Sequence, residues 1–153
     1  MPIPSRRLVV SFVAAAAIAS VLASFCSTQF VIAGLSALGI DIPPSTRLAM
    51  TLDDLGILKA LLPAIAACWL VAFPVAALCS RKLGGNRMAW FAAAGGIALV
   101  AELLIINAVL GVTIIAGARS LPGLASLGLA GVIGGAVFAH LTRPAGATEA
   151  HDA

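Results

Sequence analysis

Charged residues are scarce in this sequence. Its 153 residues include nine Lys and Arg and six Asp and Glu, a charged share of 10%, whereas 61% are hydrophobic. Soluble domains are nearer to half apolar and a quarter charged. A water-soluble chain of this size buries only about two-thirds of its surface. The apolar excess therefore excludes an ordinary soluble fold and predicts an integral membrane protein.

Paired cysteines and catalytic motifs are also missing. Cys26, Cys68 and Cys79 form no CxxC pair, and the threading below separates them too widely for a disulfide, so free thiols are expected. The sequence has no G-x-S-x-G, no H-E-x-x-H and no phosphate-binding glycine loop before a lysine. Nor does it have a basic patch interleaved with aromatic residues. We therefore expect no enzymatic activity, cofactor, metal site or nucleic-acid partner.

Four apolar runs are long enough to cross the hydrocarbon core of a bilayer, which takes roughly 20 helical residues. A chain that faces lipid must pair its backbone groups internally, which favours helices. The sequence predicts an all-α, four-helix transmembrane bundle that forms one domain over residues 1–142, followed by a disordered polar tail over 143–153. The predicted spans are about 8–28, 53–79, 88–110 and 121–141.

Local signals predict where the spans begin and end. "TLDD" at 51–54 has the spacing of a capping box, which predicts the start of the second span. "GGN" at 84–86 predicts the turn between the second and third spans. Ser120 is a candidate cap of the fourth span, with Pro122 in its first turn. The apolar outer loop at about 29–52 contains the helix-breaking "DIPP". We expect this loop to lie at the non-cytoplasmic surface of the bilayer or to cover the mouth of a cavity.

The first span has a second interpretation. Arg6 and Arg7 precede an apolar core, and "VLA" at 21–23 could precede a cleavage site, as in a signal peptide. The apolar character continues through "FVIAGL" at 30–35. A retained membrane anchor is therefore favoured over a cleaved leader.

The basic residues predict the orientation in the membrane. Cytoplasmic segments carry an excess of Lys and Arg, so both termini are expected in the cytoplasm, and the compartment is expected to be the bacterial inner membrane. Two basic residues, Arg47 and Arg119, fall in loops on the opposite side. The residues that share the predicted cytoplasmic side are Arg6, Arg7, Arg81, Lys82, Arg87 and Arg143.

Small residues recur at a spacing that favours helix packing. Gly131 and Gly135 are one turn apart in the fourth span, and Gly95 in the third span lies near the helix face of Glu102. Helices in lipid associate through close contact at small residues. The pattern predicts close packing inside the bundle, with homodimerisation through the fourth span as the alternative.

One acid, Glu102, stands inside the third span, within "AELLIINAVLG". Counting the helical rise from the basic side places Ser20 and Ser24 of the first span at its depth, together with the neighbourhood of Cys68 in the second. Lys59 lies about 12 Å from that depth, which disfavours an ion pair. Intramembrane acids are functional candidates. A neutral structural Glu102 and a proton-exchanging Glu102 both stay open.

Two known classes share some of these features. Small multidrug transporters are four-helix proteins, but their functional glutamate lies in the first helix. Glutathione-handling membrane enzymes also have four helices, but their arginine-bearing motif has no counterpart around Glu102 and Asn107. No residue is carried over from either class. "TLDDLGILKALLPAI" and "IAGARSLPGLASLGLAGVIGGAVFA" resemble stretches of uncharacterised four-helix inner-membrane proteins of proteobacteria, over the second to fourth spans; this resemblance implies no activity.

The functional expectation follows from these features. We expect a small non-enzymatic inner-membrane protein that is an accessory or assembly partner of a larger membrane system. Its expected partners are the lipid bilayer and either another membrane protein or a second copy of the chain. The alternative is a proton-coupled small-solute transporter or channel that uses Glu102, and an intramembrane enzyme ranks third.

Overall fold

A computed structural model describes residues 6–39, 43–54, 56, 58–111 and 116–143. Over these residues the regular structure is entirely helical, and four of the helices are long and apolar enough to cross a membrane. The predicted all-α transmembrane bundle is confirmed. The helices are α1 (Arg6–Ala37), α2 (Pro44–Asp54), α3 (Leu58–Lys82), α4 (Arg87–Leu110) and α5 (Leu121–Leu141), with a 3₁₀ turn at Ala116–Arg119 before α5.

α1 is longer than the predicted first span. The helix continues beyond residue 28 to Ala37, so part of the expected outer loop is helical. No proline interrupts this stretch, and most of its residues are apolar. The chain leaves the helix at Gly39, whose φ of 79° is readily adopted only by glycine. The interruption therefore falls just before the predicted breaker "DIPP".

The predicted start of the second span is wrong. Residues 51–54 form the last turn of α2 rather than the cap of the next helix, and α3 begins at Leu58. Pro44 occupies the first position of α2, where a missing amide hydrogen costs nothing. The helix that starts there extends through "TLDD", so a motif that can begin one helix here ends another. Side-chain placement at Thr51 and Lys59 lies outside the described part of the chain.

Two helix starts agree with their sequence signals. The Asn86 side chain accepts a hydrogen bond from the Met88 amide at 2.9 Å, and Gly84 and Gly85 form the preceding turn with φ of 70° and 85°. Ser120 accepts a hydrogen bond from the Gly123 amide at 3.2 Å. Each cap satisfies an amide that has no partner within its own helix. These caps place the starts of α4 and α5.

Three basic segments meet at one end of the bundle, which we call the basic end. Arg87, at the start of α4, donates hydrogen bonds to the end of α5, at the Ala139 carbonyl (2.8 Å) and the Thr142 hydroxyl (2.7 Å). Leu8 near the start of α1 and Arg81 near the end of α3 line one cavity together with Arg87. The clustering agrees with the predicted threading; a cytoplasmic location of this end stays a prediction.

The outward faces of the bundle carry aliphatic side chains. Leu70, Val71, Ile97 and Leu129 are all more than 60% exposed, as expected for helix faces that contact lipid. The three cysteines are half-buried free thiols. The buried face of α1 is made almost entirely of small residues: Ser11, Ala15, Ala16, Ala19, Ser20, Ala23, Ser24, Ser27, Thr28 and Ile32.

α4 and α5 touch backbone to backbone at Gly95, Gly131 and Gly135, a set that we call the glycine contact. A Cβ atom added at Gly95 would overlap the Gly131 carbonyl oxygen, and one at Gly135 would overlap the Phe91 carbonyl oxygen. Only glycine fits these positions without a shift of the backbone. Gly131 and Gly135 of the fourth span therefore make their close contacts inside the chain.

Candidate functional site

Glu102 lies on the inward face of α4 and is only 6% exposed. Leu99 and Leu103 flank it on the same side of the helix and are also buried. Both of its carboxyl oxygens are buried without a hydrogen-bond partner among the described residues. Buried polar groups are almost always hydrogen-bonded, because an unpaired one loses its hydration without compensation. Among the described residues, Glu102 is therefore the buried side chain whose polar atoms lack a hydrogen-bond partner.

Cys68 on α3 is a polar neighbour of Glu102. The two side chains interact electrostatically across the helix interface. The thiol is a weak donor, and neither carboxyl oxygen accepts a hydrogen bond of ordinary geometry. Counting the helical rise had placed Cys68 near the depth of the acid, and the structure brings the two together.

Ser20 and Ser24 share the bundle interior but do not bond to Glu102. The Ser20 hydroxyl donates to the Ala16 carbonyl of its own helix at 2.8 Å. Ser24 is buried, and its carbonyl accepts a hydrogen bond from the Thr28 hydroxyl at 3.1 Å. Hydroxyl groups within helices commonly bond to the carbonyl four residues back. The predicted depth of these serines therefore does not make them partners of the acid.

A cluster of aromatic rings fills the other half of the interior, toward the basic end. The Phe73 ring stacks on Trp69 at 4.7 Å and on Phe138 at 4.6 Å between ring centres. It also meets Phe12 edge-on at 5.9 Å and Phe91 at 5.4 Å. These rings come from α1, α3, α4 and α5, so the cluster joins all four long helices.

A cavity of about 510 Å³ lies beside these rings, and we call it the aromatic cavity. Phe12, Trp69, Phe73 and other apolar side chains form most of its wall, and the wall toward the basic end includes Arg81 and Arg87. Concave apolar sites with a few polar groups are typical ligand sites. The Glu102 carboxyl group and the aromatic cavity are thus two candidate sites among the described residues.

Arg87 and Trp69 link the helices that surround the aromatic cavity. The Arg87 guanidinium, bonded to the end of α5, lies 4.7 Å from the centre of the Phe91 ring. A cation at this position also suits the negative end of the α5 dipole. The Trp69 indole N–H donates to the Gly95 carbonyl at 3.3 Å, which links α3 to the glycine contact.

The aromatic cavity was not among the features predicted from the sequence, although a signal was present. Phe12, Phe91 and Phe138 each lie within about two turns of a helix end at the basic side, and Phe73 lies about two turns before Arg81. The same depth count that was applied to Glu102 would have placed these rings at similar levels.

Comparisons of the chain with protein-family models, curated proteins and solved structures found no match. The resemblance to inner-membrane proteins of proteobacteria therefore stays an interpretation of the sequence. Four candidate membrane-spanning helices support a multi-pass membrane protein.

Proposed function

We propose that the protein is a small non-enzymatic integral protein of the bacterial inner membrane that acts as an accessory or assembly partner of a larger membrane system. The four apolar helices support the membrane location. One observation supports the partner role: a groove of about 590 Å³ between α4 and α5 on the outside of the bundle, which we call the outer groove.

Small residues line the outer groove. The exposed side chains of Ala125, Ile97 and Leu129 line it, and Gly96 and Gly128 belong to its lining but are buried. Small residues let the backbone of another helix approach closely, which is the main source of helix association in lipid. A surface that meets only lipid tails gains nothing from such a groove. The outer groove therefore fits an apolar helix of a membrane partner.

The outer groove is also preformed. Its two walls, α4 and α5, are joined by the glycine contact, where backbone atoms leave no space for a side chain. A binding surface that is already ordered loses less conformational entropy on association. This rigidity favours a docking role for α4 and α5.

A photo-crosslinking residue at position 97 tests this proposal in cells that naturally express the chain. Ile97 on the outer groove and Val71 on α3 are both 70% exposed, so position 71 is the matched control. We expect one discrete crosslinked membrane protein from position 97 and none from position 71. Equal crosslinking from both positions, or crosslinking only to lipid or to a second copy, would contradict the proposal.

A matched pair of substitutions then tests the groove itself. Ala125→Phe places a ring in the outer groove, whereas Ala67→Phe places the same ring at an exposed position of α3. We expect Ala125→Phe to abolish the crosslink from position 97 and Ala67→Phe to leave it unchanged. If Ala125→Phe leaves the crosslink intact, the partner does not use this surface.

The unpaired carboxyl group of Glu102 favours a second candidate function, a proton-coupled transporter of small solutes. A charge at this depth is costly, so a proton that binds and leaves Glu102 would couple strongly to its surroundings. In proteoliposomes, a panel of small amines and amino acids should then show uptake driven by a pH gradient, and Glu102→Gln should abolish it. If Glu102→Gln is silent while Glu102→Leu unfolds the protein, the acid is structural.

A further inference from the structure

The wall of the aromatic cavity combines two chemical surfaces. Aromatic rings form the part that extends toward the bundle centre as far as Trp69, and the guanidinium groups of Arg81 and Arg87 belong to the part at the basic end. Rings accept hydrocarbon, and guanidinium groups bind phosphate and carboxylate through directed hydrogen bonds. The complementary molecule has an apolar chain and an anionic head.

The basic end has no anionic partner among the side chains that the structure describes. Glu102 is the one carboxylate in that set, and it lies about 22 Å along α4 from Arg87. Arg143 lies near Arg87 and adds a second positive charge rather than a compensating negative one. Arg81 and Lys82 are exposed at the same end. The counter-charge that this cluster attracts therefore comes from outside these residues.

The position of the cavity matches that of a membrane lipid. The basic end is where the candidate spans of α3, α4 and α5 begin or end, and for helices that cross a bilayer this is the level of the lipid headgroups. Basic pockets between transmembrane helices are known sites for anionic headgroups. From this level the cavity extends along α3 from Ser80 to Trp69, about 16 Å of helix, which is the direction of an acyl chain.

We propose that the aromatic cavity binds one acyl chain of an anionic phospholipid from the leaflet at the basic end. Its phosphate is held by Arg81, the exposed guanidinium at the cavity wall. Arg87 contributes charge from a fixed position, because two of its hydrogen bonds already go to the end of α5. This site does not depend on the proposed partner role of the outer groove.

Fluorescence quenching of Trp69 tests the proposal with the full chain. The sequence has two tryptophans, and the second, Trp90, lies outside the cavity, where it donates to the Gly84 carbonyl. Trp90→Phe leaves Trp69 as the single reporter. The protein is placed in phosphatidylcholine vesicles that contain a small fraction of a lipid brominated on its acyl chain. The brominated lipid is phosphatidylglycerol in one sample and phosphatidylcholine in the other. We expect at least threefold more quenching by the brominated phosphatidylglycerol than by the brominated phosphatidylcholine.

Two neighbouring cations provide matched variants. Arg81 lines the cavity and Lys82 does not, yet both are exposed and carry the same charge. Arg81→Gln should reduce the excess quenching by phosphatidylglycerol to less than half, and Lys82→Gln should leave it unchanged. Equal losses in the two variants would show attraction to a charged surface alone and would overturn the proposal. Equal quenching by the two lipids in the starting protein would overturn it as well.

A third variant tests entry of the chain into the cavity. Ala77 lines the aromatic cavity, so Ala77→Phe should fill it and lower the quenching by either brominated lipid. The emission maximum of Trp69 and the unfolding transition identify any variant that fails to fold. In a folded Ala77→Phe protein, undiminished quenching would mean that the lipid lies outside the cavity.

Discussion

α4 and α5 meet through glycine near their middle, whereas near the basic end aromatic rings join all four long helices. At the glycine contact a single added carbon would overlap a backbone oxygen. Around Phe73 the ring centres lie 4.6 to 5.9 Å apart, and a cavity of about 510 Å³ lies beside them. Lipid tails are as apolar as the side chains, so burial of apolar area does not drive these helices together. Side-chain shape decides how closely each pair approaches.

The difference separates a rigid region from an adaptable one. Backbone atoms in contact cannot move apart without losing that contact, so α4 and α5 form one unit. Rings beside a cavity can shift into available space at a smaller cost. A bound acyl chain or a substitution is therefore expected to act on α1 and α3 before it acts on the glycine contact.

The largest expected effect is that of a side chain at the glycine contact. Gly135→Val forces the backbones of α4 and α5 apart, and we expect the free energy of unfolding to fall by about 3 kcal/mol or more. Unfolding in mixed micelles with increasing sodium dodecyl sulfate measures it. Gly34→Val on α1 is the control, because a Cβ atom there has no neighbour within 4 Å. Similar losses in both variants would remove the contrast between the two regions.

Loss of a ring at the aromatic end should cost less. Phe138→Ala removes the stack on Phe73 and its contacts with Phe91 and Phe12. We expect a loss of about 2 kcal/mol, below the usual value for soluble cores, because the transfer term is small in lipid. Phe25→Ala, at a ring that is 51% exposed on α1, serves as the control. The same unfolding assay applies, and equal losses would contradict the role of the cluster.

Arg87 joins the start of α4 to the end of α5, and its replacement should have a smaller effect than the loss of the Phe138 ring. Arg87→Gln removes two hydrogen bonds to the end of α5 and the contact with the Phe91 ring. We expect a loss of about 1–2 kcal/mol in unfolding free energy. Hydrogen exchange at residues 138–142 should become faster, while Lys82→Gln leaves it unchanged. Unchanged exchange in Arg87→Gln would show that α5 does not need this anchor.

The smallest expected effect is at Ser20. Its hydroxyl bonds to a carbonyl of its own helix, so Ser20→Ala should change the unfolding free energy by less than about 0.5 kcal/mol. Ala19→Ser on the same buried face is a useful opposite change, because it adds a hydroxyl where the side chain meets α5 near Gly134. A loss well above 1 kcal/mol in Ser20→Ala would mean that the hydroxyl bonds to another helix. The depth count had placed Ser20 at the level of Glu102, which suggested such a bond.

The long helices were predictable because lipid imposes length and composition on every span. The depth of Glu102 relative to Cys68 was also predictable, since helical rise is constant. The end of α1 was harder to predict, because no proline stands between residues 28 and 37. "TLDD" at 51–54 was ambiguous: a polar turn with a threonine can start a helix or end one, and Pro44 had already started a helix that includes it.

The candidate sites were only partly predictable. Burial of Glu102 could be inferred from small residues near its helix face, but the bonding of Ser20 within α1 depends on side-chain rotamers that spacing does not determine. The aromatic cavity depends on the relative rotation of α1, α3, α4 and α5. The partners of Arg87 lie 52 and 55 residues later in the chain, and no local pattern connects them.

The bonds from Arg87 to Ala139 and Thr142 also set an order of events during biosynthesis. Arg87 is translated 52 and 55 residues before its partners Ala139 and Thr142. Until then the guanidinium at the start of α4 has only lipid headgroups and water to bind. The last helix therefore completes the hydrogen bonds of Arg87, and a nascent chain stalled before Ala139 would enter the bilayer without them.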